Sequence, residues 1–164
     1  MDLMGSVLGR TPLEHLAFNN VVLRTLPVDS SKEPGSRIVK GACFSRVTPQ
    51  SLDNPKFVAV SEPALSLLGL SADDVLKDPR GPRYLSGSKL MPGSEPAAHC
   101  YCGHQFSQFA GQLGDGAVCY LGEVESRQQN HDNPCGRWEI QVKGAGKTPY
   151  SRYVPLFLTT SLNM

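Results

Sequence analysis

Gly111-Gln112-Leu113-Gly114-Asp115-Gly116 is the stretch whose reading decides the fold. Three glycines in six residues let the backbone take positive φ and approach a ligand closely, because no Cβ stands in the way. Successive amides can then point at phosphate oxygens. Immediately downstream, Ala117-Val118-Cys119-Tyr120-Leu121-Gly122-Glu123-Val124 is rich in β-formers. The polar run from Glu125 to Gly136, with Asn133-Pro134, reads as a loop. Arg137 to Lys143 then alternates: Trp138, Ile140 and Val142 fall on one face, and Glu139, Gln141 and Lys143 on the other. Lys143 therefore points away from the apolar core and can face the cleft beneath the glycine turn.

A glycine-rich turn leading into a strand, followed by a strand that ends on lysine, is how protein-kinase-type folds hold the phosphates of ATP. The order here, Gly-x-x-Gly-x-Gly, is the reverse of the kinase Gly-x-Gly-x-x-Gly. Two plainer readings compete. Glycine-rich turns also close ordinary tight hairpins, and a lysine ending a strand also serves as a solvated edge charge. At 164 residues the chain has room for the half of such a fold that grips a nucleotide and none for the half that carries the base and the metal ligands.

Further words along the chain narrow the choice. Tyr101-Cys102-Gly103-His104-Gln105-Phe106, Phe109 to Gly116, Leu121-Gly122-Glu123-Val124, Arg137-Trp138-Glu139, Lys143-Gly144-Ala145-Gly146 and Thr148-Pro149-Tyr150-Ser151-Arg152 resemble the selenoprotein O family. Upstream, Phe18-Asn19-Asn20, Leu26-Pro27, Gly41-Ala42-Cys43-Phe44-Ser45 and Ser61-Glu62-Pro63-Ala64-Leu65 fit a eukaryotic member. The resemblance spans about residues 12 to 152. It implies a protein-kinase-like fold that acts as a protein adenylyltransferase, moving AMP from ATP to Ser, Thr or Tyr hydroxyls of other proteins, with Mg²⁺ as cofactor. It also implies a nucleotide in flipped orientation relative to kinases. Matched motif by motif, Gly114 and Gly116 correspond to glycine-turn nucleotide contacts and Lys143 to a phosphate-contacting lysine. Ala117 stands where many bacterial relatives have an arginine, so only a backbone contact is implied there.

The resemblance fails after Arg152. An Asp-Gly pair expected next falls on Pro155 and Leu156, and the chain reads on from Tyr153 to Met164 without the family's words. The general base and the magnesium-binding asparagine and aspartate are likewise expected outside this chain, which leaves no catalytic residue to name in it. The expectation is therefore an α+β fold: a partial protein-kinase-like fold with a small-lobe β-sheet, a glycine-rich loop and an N-terminal extension, the large lobe absent. Its parts are an irregular segment 1–40, the kinase-like part 41–152 and a divergent tail 153–164. An alternative is a non-catalytic truncated product or fragment, with weak nucleotide or partner binding.

Within this frame Gly41 to Val47 and Lys56 to Val60 read as short strands. Glu62 to Leu68 reads as a helix opened by Ser61 with Pro63 in its first turn, and Ser71 to Leu76 as another, capped by Ser71 with Asp73 and Asp74 at its positive end. Ala64, Leu65, Leu67 and Leu68 are core candidates. Residues 78 to 98 read as loop. His99-Cys100-Tyr101-Cys102-Gly103-His104 gathers two thiols and two imidazoles, but structural zinc uses separated Cys-x2-4-Cys pairs, and no metal is assigned.

A net charge of +1, from 16 basic and 15 acidic residues, gives no electrostatic footprint for nucleic acid or an acidic membrane. No apolar run approaches the ~20 residues needed to span a bilayer. Five cysteines without a secretion signal fit reduced thiols in a cytosolic or matrix setting. The resemblance implies a mitochondrial protein, yet Met1 to His15 holds one arginine and two acids, which is not a transit-peptide composition.

Overall fold

The computed structural model describes residues 10–126 and 133–151, and the backbone of 161–163. Expectations placed on Met1 to Gly9, on the middle of the 125–136 loop, on Arg152, and on Pro155 and Leu156 lie outside the described residues. So does most of the tail.

The fold is mixed α+β. Its strands are β1 (Ala17–Phe18), β2 (Val28–Asp29), β3 (Phe44–Arg46), β4 (Ala97–Gln105), β5 (Gln108–Gly114), β6 (Val118–Glu125), β7 (Arg137–Lys143) and β8 (Ser161–Asn163). They run β2-β3-β4-β6-β7-β8 across the sheet, with β5 added to β4 and β1 to β6. Only β2 and β3 are parallel; the remaining pairs are antiparallel. The helices are α1 (Val21–Thr25), α2 (Glu62–Leu67), α3 (Ala72–Lys77) and α4 (Gly81–Leu85), preceded by a 3-10 turn at Pro12–His15.

Both faces of the sheet are covered. Cys119, Leu121, Val124, Ile140 and Val142 pack with Leu13 of the 3-10 turn, Tyr84 of α4 and Met91. On the opposite face Tyr120, Phe44 and Ala97 pack with Leu23 of α1. Period-2 alternation along β7 produces this division: Ile140 and Val142 are buried while Glu139 and Lys143 are exposed.

Local signals in the middle of the chain are obeyed. Ser61 accepts from the Ala64 amide at the start of α2, and Ser71 from the Asp74 amide at the start of α3. Leu65 is the fully buried member of its helix, and Leu68 packs at the edge of the first core.

Three expectations fail. Lys56 to Val60 forms no strand: it has no strand neighbour to pair with, Val58 is wholly exposed, and Phe57 anchors the segment against Gly81 of α4. Residues 78 to 98 carry α4 and the start of β4, because Pro82 suits a first helical turn and Ala97 and Ala98 are buried against strands distant in sequence. The segment read as irregular before Lys40 contains the 3-10 turn, α1 and two strands. These short strands exist through pairing with β6 and β3, which no local pattern reveals.

Candidate functional site

The glycine segment does not close a hairpin. The β4–β5 hairpin turns at Phe106 and Ser107, both with positive φ (51° and 64°), the signature of a type I′ turn. Beyond it β5 runs antiparallel to β4 until Gly114 lies opposite Cys100. Continued without interruption, that register would set Ala97 opposite Ala117. Ala97 instead lies opposite Tyr120, so Asp115, Gly116 and Ala117 are three residues looped out of one long path that resumes as β6. The tight-hairpin reading of the glycines is thereby replaced by a wide interruption of a strand.

Each glycine is used differently. Gly116 has φ +72°, and a Cβ there would meet nothing within 4 Å, so its need is conformational and the space beside it is open. A Cβ on Gly114 would collide with Tyr150 Cβ and sit 3.0 Å from the His99 carbonyl oxygen. Its need is close packing.

The loop following β7 holds the looped-out residues from beneath. Thr148 Oγ1 (2.9 Å) and Ser151 Oγ (2.6 Å) both donate to the Gly116 carbonyl. The amides of Gly144 and Ala145 donate to the Ala117 carbonyl at 2.9 and 3.0 Å. With these carbonyls engaged inward, the amides of Asp115, Gly116 and Ala117 donate to no acceptor among the described residues. Consecutive amides without an acceptor of their own are the groups from which anion-binding backbone concavities are built.

Lys143 reaches the same end of the sheet through pairing. It lies opposite Val118, the first residue after the loop-out, and its side chain is exposed and in no ion pair among the described residues. The structure thus brings together Gly114, Gly116, Ala117 and Lys143, the residues expected from the sequence.

Beneath them lies a polar floor that sequence reasoning missed. The Tyr150 hydroxyl is 2.7 Å from Ser45 Oγ, and Ser45 donates to Asp29 Oδ2 at 2.8 Å. Arg37 pairs with the same Asp29 oxygen at 2.5 Å. The Ser31 amide first, then the Ser45 hydroxyl, hold the Asp29 carboxyl below its usual range. Burial pushes the Tyr150 phenol up, so it stays a protonated donor. Gln112 joins this floor to β5, giving its Nε2–H to the Arg37 carbonyl (2.8 Å) and accepting from the Val39 amide (2.7 Å). The only local signal was the cluster of hydroxyls in Thr148-Pro149-Tyr150-Ser151. The partners at Asp29, Arg37 and Ser45 are more than a hundred residues away and carry no local mark.

The histidine–cysteine stretch is strand β4, whose alternation sends His99 and Tyr101 to one face and Cys100 and Cys102 to the other. Among the described residues no group of three or more His, Cys, Asp or Glu could hold a metal ion.

Comparison with known proteins gives a consistent result. The family model described as "Protein adenylyltransferase SelO" matches residues 32–155. The chain is 69% identical over 157 residues to "Protein adenylyltransferase SelO-1, mitochondrial" of Danio rerio, covering 93% of this chain and 23% of that protein. It is 53% identical over 148 residues to "Protein adenylyltransferase SelO, mitochondrial" of Homo sapiens, covering 85% and 21%. It is 50% identical over 137 residues to "Protein nucleotidyltransferase YdiU" of Methylobacillus flagellatus, covering 84% and 25%. The chain therefore spans about a quarter of the length of the curated relatives it matches.

Proposed function

Since this chain belongs to the protein adenylyltransferase SelO family, we propose that it supplies the phosphate-gripping part of an ATP site used to transfer AMP to Ser, Thr or Tyr hydroxyls of proteins. The carrying observation is that the amides of Asp115, Gly116 and Ala117, which have no acceptor among the described residues, lie at the same end of the sheet as Lys143, which has no ion pair among them. In this reading Gly116 and Ala117 present backbone N–H groups to phosphate oxygens, and Gly114 lets Tyr150 pack beneath them. Lys143 neutralises phosphate charge. Fixed donors and a positioned cation are what phosphoryl chemistry chiefly needs from a protein.

Mg²⁺ does not fit the described residues, and no step is assigned to it. Asp115, inside the glycine segment, is exposed and stands alone as a carboxylate there: Glu123 accepts from the Val22 amide at 2.8 Å, and Glu139 accepts from Gln141, so neither joins it. This favours a second reading for the 164-residue chain by itself, nucleotide binding without transfer. The compartment named for its relatives, the mitochondrion, is proposed for this chain too.

Calorimetry with ATP tests the site. Weak binding that Lys143→Ala reduces several-fold is expected, with the thermal midpoint unchanged. Affinity indifferent to Lys143→Ala would remove the lysine from the site. Incubation with α-labelled ATP and Mg²⁺ separates the two readings: label transferred to protein by the isolated chain supports the complete enzyme reading, and no transfer supports binding alone.

A further inference from the structure

Two of the cysteines are neighbours across the start of β3 and β4. The register of β3 against β4 sets Phe44 opposite His99 and Ser45 opposite Ala98. Cys43, the residue before β3, is joined to Cys100 through the backbone: the Cys100 amide donates to the Cys43 carbonyl at 2.7 Å. The Cys43 amide is held in turn by the Pro27 carbonyl at 2.8 Å, so this backbone is tied from both sides. Phe44 stacks on His99 with ring centroids 4.8 Å apart on one face of the sheet. Cys43 and the Tyr150 hydroxyl both act on the Cys100 thiol, while Cys43 also packs against the cluster of Leu23, Phe44, Ala97 and Tyr120.

We propose that Cys43 and Cys100 are a dithiol site that closes reversibly to a cross-strand disulfide beneath the glycine segment. The single backbone hydrogen bond from the Cys100 amide to the Cys43 carbonyl holds the two residues at about the 5.5 Å Cα spacing of hydrogen-bonded neighbours, inside the roughly 4.4–6.8 Å window of disulfides. Both thiols are only partly buried, so an oxidant can reach the pair. Each other pairing is worse. Cys102 follows Cys100 along one strand with its Cβ pointing the same way about 6.7 Å further on, beyond the Cβ spacing of about 3.5–4.5 Å that a disulfide needs. Cys119 lies buried on β6 with its thiol pushed up to about 12 by desolvation. Cys135 lies in the loop before β7.

The chemistry balances with a hydroperoxide as oxidant. Burial first, then the neighbouring Cys43 and Cys102, holds the Cys100 thiol protonated, which leaves Cys43 to attack. Its thiolate attacks one oxygen of hydrogen peroxide as the O–O bond breaks, giving a sulfenic acid and hydroxide, which becomes water with the proton the Cys43 thiol released. The Cys100 sulfur then attacks the Cys43 sulfur, the S–O bond breaks, and the departing hydroxide leaves as water with the Cys100 proton. Two thiols lose two electrons and one peroxide becomes two waters. A thiol reductant reverses the bridge by exchange. Because Cys100 on β4 lies opposite Gly114, the bridge would fasten the start of β3 to the strand that pairs with the glycine segment.

The site stands independently of the nucleotide reading, and so does its test. The reduced 164-residue chain is treated with equimolar hydrogen peroxide, alkylated, and cleaved after Lys40 and Arg46, which isolates Cys43 in the peptide 41–46. The expected product is that peptide joined to the Cys100 peptide two hydrogens lighter, with fragmentation placing the link at Cys100. Two of the five free thiols should be lost and then restored by reductant. Cys102→Ser should keep the link and Cys43→Ser abolish it. The wild-type fragmentation decides the case even if a variant folds poorly. A link from Cys43 to Cys102 or Cys135, or recovery of peptide 41–46 as a free thiol or a sulfinic acid, would overturn the proposal.

Discussion

Gly114→Ala and Gly116→Ala should behave as opposites although the two glycines stand two residues apart. A methyl on Gly114 enters Tyr150, coming 3.1 Å from Cγ, and meets the His99 carbonyl oxygen at 3.0 Å. Neither neighbour can step aside. Tyr150 is 5% exposed with its hydroxyl fixed on Ser45, and the His99 carbonyl belongs to a paired strand. Overpacking of this kind costs roughly 1–3 kcal/mol, and the rigid surroundings put it in the upper half. A methyl on Gly116 meets only open space, so the cost is that of holding an L-residue at φ +72°, about 1–2 kcal/mol. For a chain of this size 1 kcal/mol moves the thermal midpoint by roughly 2–4 °C. Gly114→Ala should therefore lower it by about 4–12 °C and Gly116→Ala by about 2–8 °C, read by circular dichroism. ATP affinity should follow a different order. Gly116→Val projects into the open side, where phosphate is proposed to sit, and should weaken binding by more than its loss of stability accounts for. If Gly114→Ala is tolerated better than Gly116→Ala, or if Gly116→Val loses stability and binding in proportion, the division of roles between the two glycines is wrong.

Two further outcomes follow from the packing. A Cβ on Gly122 (φ +144°) would strike Phe18 and the Asn20 carboxamide. Asn20 there accepts from the Glu123 amide and donates to the Gly93 carbonyl and Glu95. Gly122→Ala should therefore cost about 3 kcal/mol, from overlap and lost buried hydrogen bonds, and urea unfolding with a wild-type midpoint would count against this. Acid should act through Glu14, Asp29 and Glu95, whose carboxyls are held below their ordinary values chiefly by the Tyr84 hydroxyl, the Ser31 amide and the Asn20 carboxamide. A carboxyl with a depressed folded-state pKa contributes stability that is fully present above its ordinary pKa of about 4 and is lost as pH falls through the lower folded value. Thermal midpoints should thus hold from pH 7 to about 5 and drop below about 4. Asp29→Asn should lower the pH 7 midpoint and flatten that acid limb, and an unchanged acid slope would show that Asp29 is not one of the groups responsible.

The residues that decide the site were legible one by one, because each obeys a rule of short range. Alternation along Arg137 to Lys143 fixed which face Lys143 takes. Ser61 and Ser71 announced their helices, and the density of glycine marked the place where the backbone must depart from a regular strand. Family words in their order identified what these pieces belong to. Tertiary structure alone decided what the glycines interrupt. The sequence does not show that β5 and β6 are one path along β4, since the three-residue offset exists only in the pairing of Ala97 with Tyr120. It likewise hid the strands before Lys40, the helix after Asp78 and the polar chain from Tyr150 through Ser45 to Asp29. Those elements are too short to stand on local propensity, and they form because partners elsewhere in the chain complete their hydrogen bonds and cover their apolar sides.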